Sequence, residues 1–328
     1  MKIGIVGPTL HMFIEKYAAL FYPDPVVIFS DPQYQNWNDV LLGYIGEFWN
    51  PVNLNIEYRI QPYGQWDVSD IDVMVESIEC FQYGENWKHQ CLQYNCPTIF
   101  KVCFINDGKF FPEKYLHKIR KIPAVVEADW QVGFWQGVGL QVTKIHNPVG
   151  HWWFEKEYIG DEETAVYVVA GMHKWRGDGL SLGWDWWQEI ERTFPGKTLH
   201  HDAAELGALT PLQLVDMFSH KRAFVNLDWD SGRPLSTAFC EALSIGMPVI
   251  SRRCSNLNYQ DFIDTNGIAT NDKNEMYTFI EHCLNDIEFA KQCGKRSREI
   301  AQGHFSHTVA RNSMNNVIDR AIETFKKG

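Results

Sequence analysis

Short, continuously apolar runs alternate along this chain with stretches whose apolar residues recur every three or four positions. The first run, Lys2–Pro8 (KIGIVGP), predicts a strand closed by a tight loop, and Leu10–Phe21 after it has helical spacing. Further strand-like runs occupy Pro25–Phe29, Asp72–Glu76, Pro97–Phe104, Ala124–Ala128 and Val142–His146, with helix-like stretches at Trp87–Tyr94 and Pro112–Lys121. Strands this short and this apolar predict a parallel sheet covered on both faces.

The polar stretch Glu155–Thr164 interrupts the pattern, which then restarts. A strand is expected at Ala165–Gly171, a helix at Asp185–Phe194, the segment Lys197–Asp202, a helix at Pro211–Ser219, and a strand at Arg222–Asp228. A helix at Thr237–Ile245, a strand at Met247–Ser251, and helices at Asn274–Asn285, Ile287–Ile300 and Thr308–Phe325 complete the chain. The reading is α/β throughout, with two Rossmann-like, doubly wound domains at 1–155 and 165–305. A last helix, 306–328, is expected to pack back on the first domain. Ligands of such sheets bind beyond the carboxyl ends of the strands, so two domains facing across a cleft are expected to hold one there.

Composition narrows the classes. Apolar residues make up 45% of the 328 and charged residues 22%, which excludes a disordered or fibrous chain. No apolar run approaches the roughly 18 residues of a membrane span. His11, Glu15 and Lys16 interrupt the first apolar stretch, so neither an export signal nor membrane insertion is expected. Eight cysteines without a CxxC pair fit a reducing, cytoplasmic setting. Residues 1–150 carry 11 basic against 16 acidic side chains and the remainder 19 against 25, within a net charge of −11. Neither half is a basic module that holds nucleic acid by phosphate neutralisation alone. The run Lys109–Lys121 is either a local basic patch or a solvated helix face. Thirteen tryptophans exceed what core filling needs, which predicts rings lining a groove suited to sugars or bases.

The chemistry concentrates at Val225–Ser251 (VNLDWDSGRPLSTAFCEALSIGMPVIS). It reads as a strand, a loop with Gly232 and Pro234, and an apolar helix ending at Gly246. Ser236 and Thr237 stand where a helix begins, and first-turn amides there suit an anion. Glu241 follows about one turn later on an otherwise apolar helix. A carboxylate there must accept hydrogen bonds, from a ribose diol, from a basic neighbour or in a salt bridge. Calcium-loop, HExxH, Walker and GxSxG patterns are absent, and GIVGP is not a full GxGxxG. Asp228-Trp229-Asp230 is a weak metal motif, so no metal and no cofactor beyond a co-substrate are expected.

This stretch, followed by RRCSNLNYQDFIDTNGIAT, resembles the nucleotide-binding core of retaining GT-B glycosyltransferases of the family 4 group. EALSIGMPVI matches their LEAMAxGxPVI, Asn266-Gly267-Ile268 their later NG, and KIHNPVGHWWF (144–154) the segment that ends their first domain. The resemblance implies that Glu241 holds the ribose hydroxyls and that Ser236 and Thr237 approach the diphosphate through their amides. It implies that Arg176, with Lys174, neutralises the departing diphosphate; two solvated loop charges are the alternative. Gly7 and Gly171, which close the first strand of each half, join the donor side.

The chain also departs from the family. Arg233 stands eight positions before Glu241, where the family has the glutamate that holds the donor sugar. The family GFG becomes Pro234-Leu235-Ser236, and Gly171 replaces an arginine. These changes imply an altered sugar pocket, with an unusual donor sugar or with Asp228 or Asp230 taking over its contacts. On the acceptor side His11, Glu76 and Asp129 each follow a first-domain strand and are candidates to hold or deprotonate a hydroxyl, His11 and Glu76 ahead of Asp129.

The implied activity is transfer of a hexose or pentose from a nucleotide sugar to a hydroxyl, with retention. One acceptor in keeping with the aromatic content and with Trp175-Arg176-Gly177 is a hydroxymethylated base in phage DNA, flipped into the cleft. The alternatives are a non-catalytic nucleotide-sugar or glycan-binding protein, given Arg233, and an epimerase of the same architecture.

Overall fold

The computed structural model describes residues 1–6, 20–21, 23–30, 55–61, 65–77, 94–101, 120–146, 148–169, 183–202, 209–228, 235–253 and 258–327. These form two compact units, Met1–Pro148 with His307–Gly328, and Val149–Ser306.

The first unit is built on a wholly parallel sheet of seven strands: β1 (Ile3–Val6), β2 (Val26–Ser30), β3 (Ile56–Ile60), β4 (Val73–Ser77), β5 (Thr98–Lys101), β6 (Ala124–Val126) and β7 (Val142–Lys144). Their order is β3-β2-β1-β4-β5-β6-β7, so the direction of winding reverses between β1 and β4. Ile3, Ile5, Val73, Val75 and Ile99 face one side of the sheet. The helix that covers them is the last of the chain, His307–Lys327, whose Ala310, Met314, Val317, Ile318 and Ala321 recur at helical spacing on one stripe. Arg311 fixes this helix to Asp24 and Arg320 fixes it to Thr143.

Two elements here differ from the sequence reading. β3 (IEYRI) has no apolar run because it is an edge strand, and its Glu57 and Arg59 pair with Lys2 and Asp70 on the surface. After β6 comes helix α1 (Asp129–Gly137), whose two glycines and low amphipathicity conceal it. Gln131 starts it by accepting from the amides of Glu127 and Ala128 at 2.8 and 2.9 Å. The expected helices Trp87–Tyr94 and Pro112–Lys121 lie almost wholly outside the described residues.

The second unit opens with α2 (His151–Glu155) and carries a parallel sheet of β8 (Glu162–Val169), β9 (Thr198–Asp202), β10 (Lys221–Asn226), β11 (Val249–Ser251) and β12 (Gly267–Ala269). The order β12-β11-β10-β8-β9 reverses between β8 and β10. Helix α3 (Trp184–Thr193) follows β8, α4 (Pro211–His220) precedes β10, α5 (Thr237–Ile245) links β10 to β11, and α6 (Lys273–Asn285) and α7 (Ile287–His304) follow β12. The last helix, His307–Lys327, is α8. Ala165, Tyr167, Ala223, Val225 and Ile250 form a core with Trp187 and Ile190 of α3 and Met276, Ile280, Cys283 and Leu284 of α6.

Helix α5 ends at Gly246, whose φ of +93° suits glycine, and the Met247 amide turns back to the Ala242 carbonyl at 2.9 Å. There α7 comes backbone to backbone: a Cβ on Gly294 would lie 2.0 Å from the Gly246 carbonyl oxygen. Two glycines thus set how deeply α5 seats.

Candidate functional site

In the second unit, the site residues gather where the sheet order reverses. The chain is buried from Arg222 in β10 to Leu227, with Ala223, Phe224 and Val225 as its apolar centre, and becomes half-buried at Asp228. Its end is tied to that of β11 by a buried hydrogen bond from Asn226 Nδ2 to Ser251 Oγ, 3.0 Å long. Ser236 is the N-cap of α5, and its hydroxyl makes no cap hydrogen bond to the first-turn amides. From Ala238 to Ile245 every residue of α5 is buried except Glu241, which is half-buried. Leu235, Ser236, Thr237 and Glu241 are thereby brought to the opening of one helix, with the carboxylate a turn beyond its positive end.

The Ser236 amide has a protein partner that the sequence did not disclose. It donates to Tyr259 Oη at 2.9 Å, and the same hydroxyl donates to Asp228 Oδ2 at 3.2 Å. Tyr259 belongs to a short 3-10 helix, Asn258–Phe262, is wholly buried, and packs edge-on against Phe239 of α5 at 4.8 Å. Burial, then the Asp228 carboxylate, raise its phenol well above the ordinary tyrosine range, so it stays protonated. The Ser236 amide, expected to meet an anion, is therefore engaged within the fold. Its partner lies 23 residues away, in a polar stretch with no periodicity to mark it.

A second cluster was equally silent in the sequence. Arg252, just beyond β11, lies over the Trp186 ring of α3 at 4.2 Å, and Lys273 Nζ is 5.1 Å from the same ring. Lys273 also pairs with Glu189 at 2.6 Å. The four residues of this cluster come from α3, the chain just beyond β11 and α6, so no local pattern announces it.

In the first unit Glu76 stands at the carboxyl end of β4, in register with Val6 of β1 and Phe100 of β5. This is the point where the strand order reverses. The side chain is 2% exposed, and Oε2 has no hydrogen-bond partner among the described residues. Burial alone pushes its carboxyl up to about 8, so it is mostly protonated at neutral pH. Alternation along the strands puts Glu76 on the face of Met74 and Phe100, between two apolar clusters, one with Val6, Phe29 and Met74 and one with Phe100, Val126 and Trp135. Asp129 opens α1 and pairs with Lys144 at 2.7 Å, which satisfies a helix start and an exposed charge together.

His11, Gly7, Gly171, Lys174, Arg176, Arg233 and Asp230 lie outside the described residues. Among the described residues no three His, Cys, Asp or Glu side chains cluster as metal ligands, and no helix is long and apolar enough to cross a membrane.

No family model matches the chain, and no curated protein matches its sequence. Solved structures do. A glycosyltransferase from Rickettsia africae gives a TM-score of 0.66 at 8% identity, covering 98% of both chains. HepE from Anabaena, in complex with UDP, gives 0.61 at 11% identity, covering 97% of this chain and 100% of that one. Sucrose-phosphate synthase from Thermosynechococcus elongatus gives 0.58 at 11% identity over 100% of both. With two parallel sheets, each reversing its strand order, and likeness from end to end, the chain has the α/β GT-B fold of glycosyltransferases.

Proposed function

We propose that this protein transfers a sugar from a nucleotide sugar to a hydroxyl acceptor, with retention at the anomeric carbon. The observation that carries the proposal is the half-buried Glu241 carboxylate one turn into α5, in a fold matched along its length by a protein crystallised with UDP and with UDP-glucose. In this reading Glu241 accepts hydrogen bonds from the ribose hydroxyls, and the first turn of α5 from Thr237 onward faces the diphosphate. Leu235 and Arg233 border the sugar. The bond from the anomeric carbon to the phosphate oxygen breaks, and Lys174 and Arg176 offset the charge that the leaving nucleoside diphosphate gains. The acceptor oxygen attacks on the same face and passes its proton to the departing phosphate oxygen, so no protein base is needed.

Glu76 and His11 hold the acceptor. A mostly protonated Glu76 is suited to donate a hydrogen bond to the acceptor and poorly suited to take its proton. The acceptor we propose is a hydroxymethylated base in DNA, stacked on aromatic rings after flipping. Hydroxymethylcytosine DNA incubated with the protein and a panel of nucleotide sugars gains the mass of one sugar per modified base, and unmodified DNA gains none. Before that, UDP, GDP, ADP and CDP are compared by thermal stabilisation, and Glu241→Ala weakens the best of them about tenfold or more. Equal uptake by the variant would bring the donor reading down. Arg233, in place of an acidic sugar-holding residue, favours a second reading as a non-catalytic binding protein. Binding with neither transfer nor slow hydrolysis of any donor would decide for it.

A further inference from the structure

Asp228 and Ser236 stand on either side of positions 229–235, and both are held by one buried hydroxyl. Ser236 N–H donates to Tyr259 Oη (2.9 Å), which donates to Asp228 Oδ2 (3.2 Å). The order of atoms matters. A carboxylate close to a helix N-terminus is drawn to its amides, because the helix end carries partial positive charge. Here the phenol stands between the two, accepts from the amide, and donates a hydrogen bond to the carboxylate. Asp228 is thus kept one hydrogen bond away from the end of α5, and the chain of polarised bonds satisfies all three groups. Tyr259 cannot swing aside, being 0% exposed and wedged on Phe239.

Resting on the donor reading above, we infer that Tyr259 is a positioning residue that holds the Asp228 carboxylate off the amino end of α5, so that a nucleoside diphosphate, and not the protein's own anion, occupies the first turn. Removing the hydroxyl leaves Asp228 and the Ser236 amide facing one another. The carboxylate then caps the helix and competes with the diphosphate.

The test is a double-mutant cycle on the full-length protein, with affinity measured for whichever of UDP, GDP, ADP and CDP binds the wild type best. Tyr259→Phe is expected to weaken that nucleotide tenfold or more. Adding Asp228→Asn, which keeps the shape and removes the charge, is expected to bring affinity back to within threefold of wild type. Melting temperatures are recorded for each, since a purely structural loss of the hydroxyl is not rescued by neutralising Asp228. Unchanged affinity in Tyr259→Phe, or weakened affinity that Asp228→Asn does not restore, overturns the inference and leaves the donor reading standing. A wild type that binds none of the four overturns both. If Tyr259→Phe does not fold, Asp228→Asn alone is read. Affinity within threefold of wild type, or tighter, supports the inference, and a tenfold loss makes Asp228 a nucleotide-holding group and refutes it.

Discussion

Lys101 and Glu127 form an ion pair sealed inside the first unit, the ammonium donating to the carboxylate beyond the ends of β5 and β6, with side chains 0% and 6% exposed. Charges so enclosed are costly to bring out of water and costlier to leave unmatched. Lys101→Met takes the ammonium away from the buried Glu127 carboxylate and is expected to cost about 3–5 kcal/mol, read by urea unfolding. The double variant Lys101→Met, Glu127→Leu is expected to recover most of that loss, because both charges leave together.

Glu76 makes stability depend on pH. Its carboxyl ordinarily titrates near 4.5 and in the folded protein near 8. Between those values the folded state holds a proton that the unfolded chain has released. Stability therefore falls as pH rises from 4.5 to 8 and levels off above, by an amount on the order of a few kcal/mol. Glu76→Gln, which mimics the neutral acid, flattens that slope in thermal melts taken across the window.

Helix α8 is held by its buried stripe. Met314→Ala opens a cavity among Ala310, Val317 and the strands beneath, and is expected to destabilise the first unit by about 2–5 kcal/mol. Asn312→Ala, on the exposed side of the same helix, changes it by about 0.5 kcal/mol at most. Equal effects of the two, in chemical denaturation, would contradict the packing described.

The glycines of α7 respond in opposite ways. Gly294→Ala forces a methyl group to 2.0 Å from the Gly246 carbonyl, and neither backbone yields without moving α5. A loss of about 2 kcal/mol or more is expected, with weaker nucleotide binding if α5 shifts. At Gly303, where an added Cβ meets nothing within 4 Å, alanine is expected to stabilise by about 0.5 kcal/mol.

What the sequence made legible follows from where each signal is stored. β1, β2, β4, β10 and β11 each have a short apolar stretch because both sheet faces are covered, so Ile3–Val6 and the Ala223–Val225 centre of β10 identify themselves. β3 does not, since Glu57 and Arg59 serve the surface at the sheet's edge, and β12 is three residues of half-buried chain. The opening of α5 was readable because a cap, an apolar helix and a lone Glu241 are contiguous. Tyr259 was not, because its meaning arises only when residue 259 is folded against 228 and 236. Arg252 and Trp186 share that opacity. Glu76 fell in between: its place at the end of an apolar run was visible, but its buried, mostly protonated state depends on neighbours from β1 and β5.

The first unit begins the chain and takes its covering helix from residues 307–327, with all of 149–306 intervening. A ribosome making this protein must therefore finish the second unit before the first has the stripe that shields Ile5, Val75 and Ile99. Until those residues emerge, this face of the parallel sheet lacks the contacts of Met314, Val317 and Ile318. A stop codon that removes residues 307–327 therefore acts at a distance, taking apolar cover from a unit whose strands lie at residues 3–144 while leaving every residue of 149–306 in place.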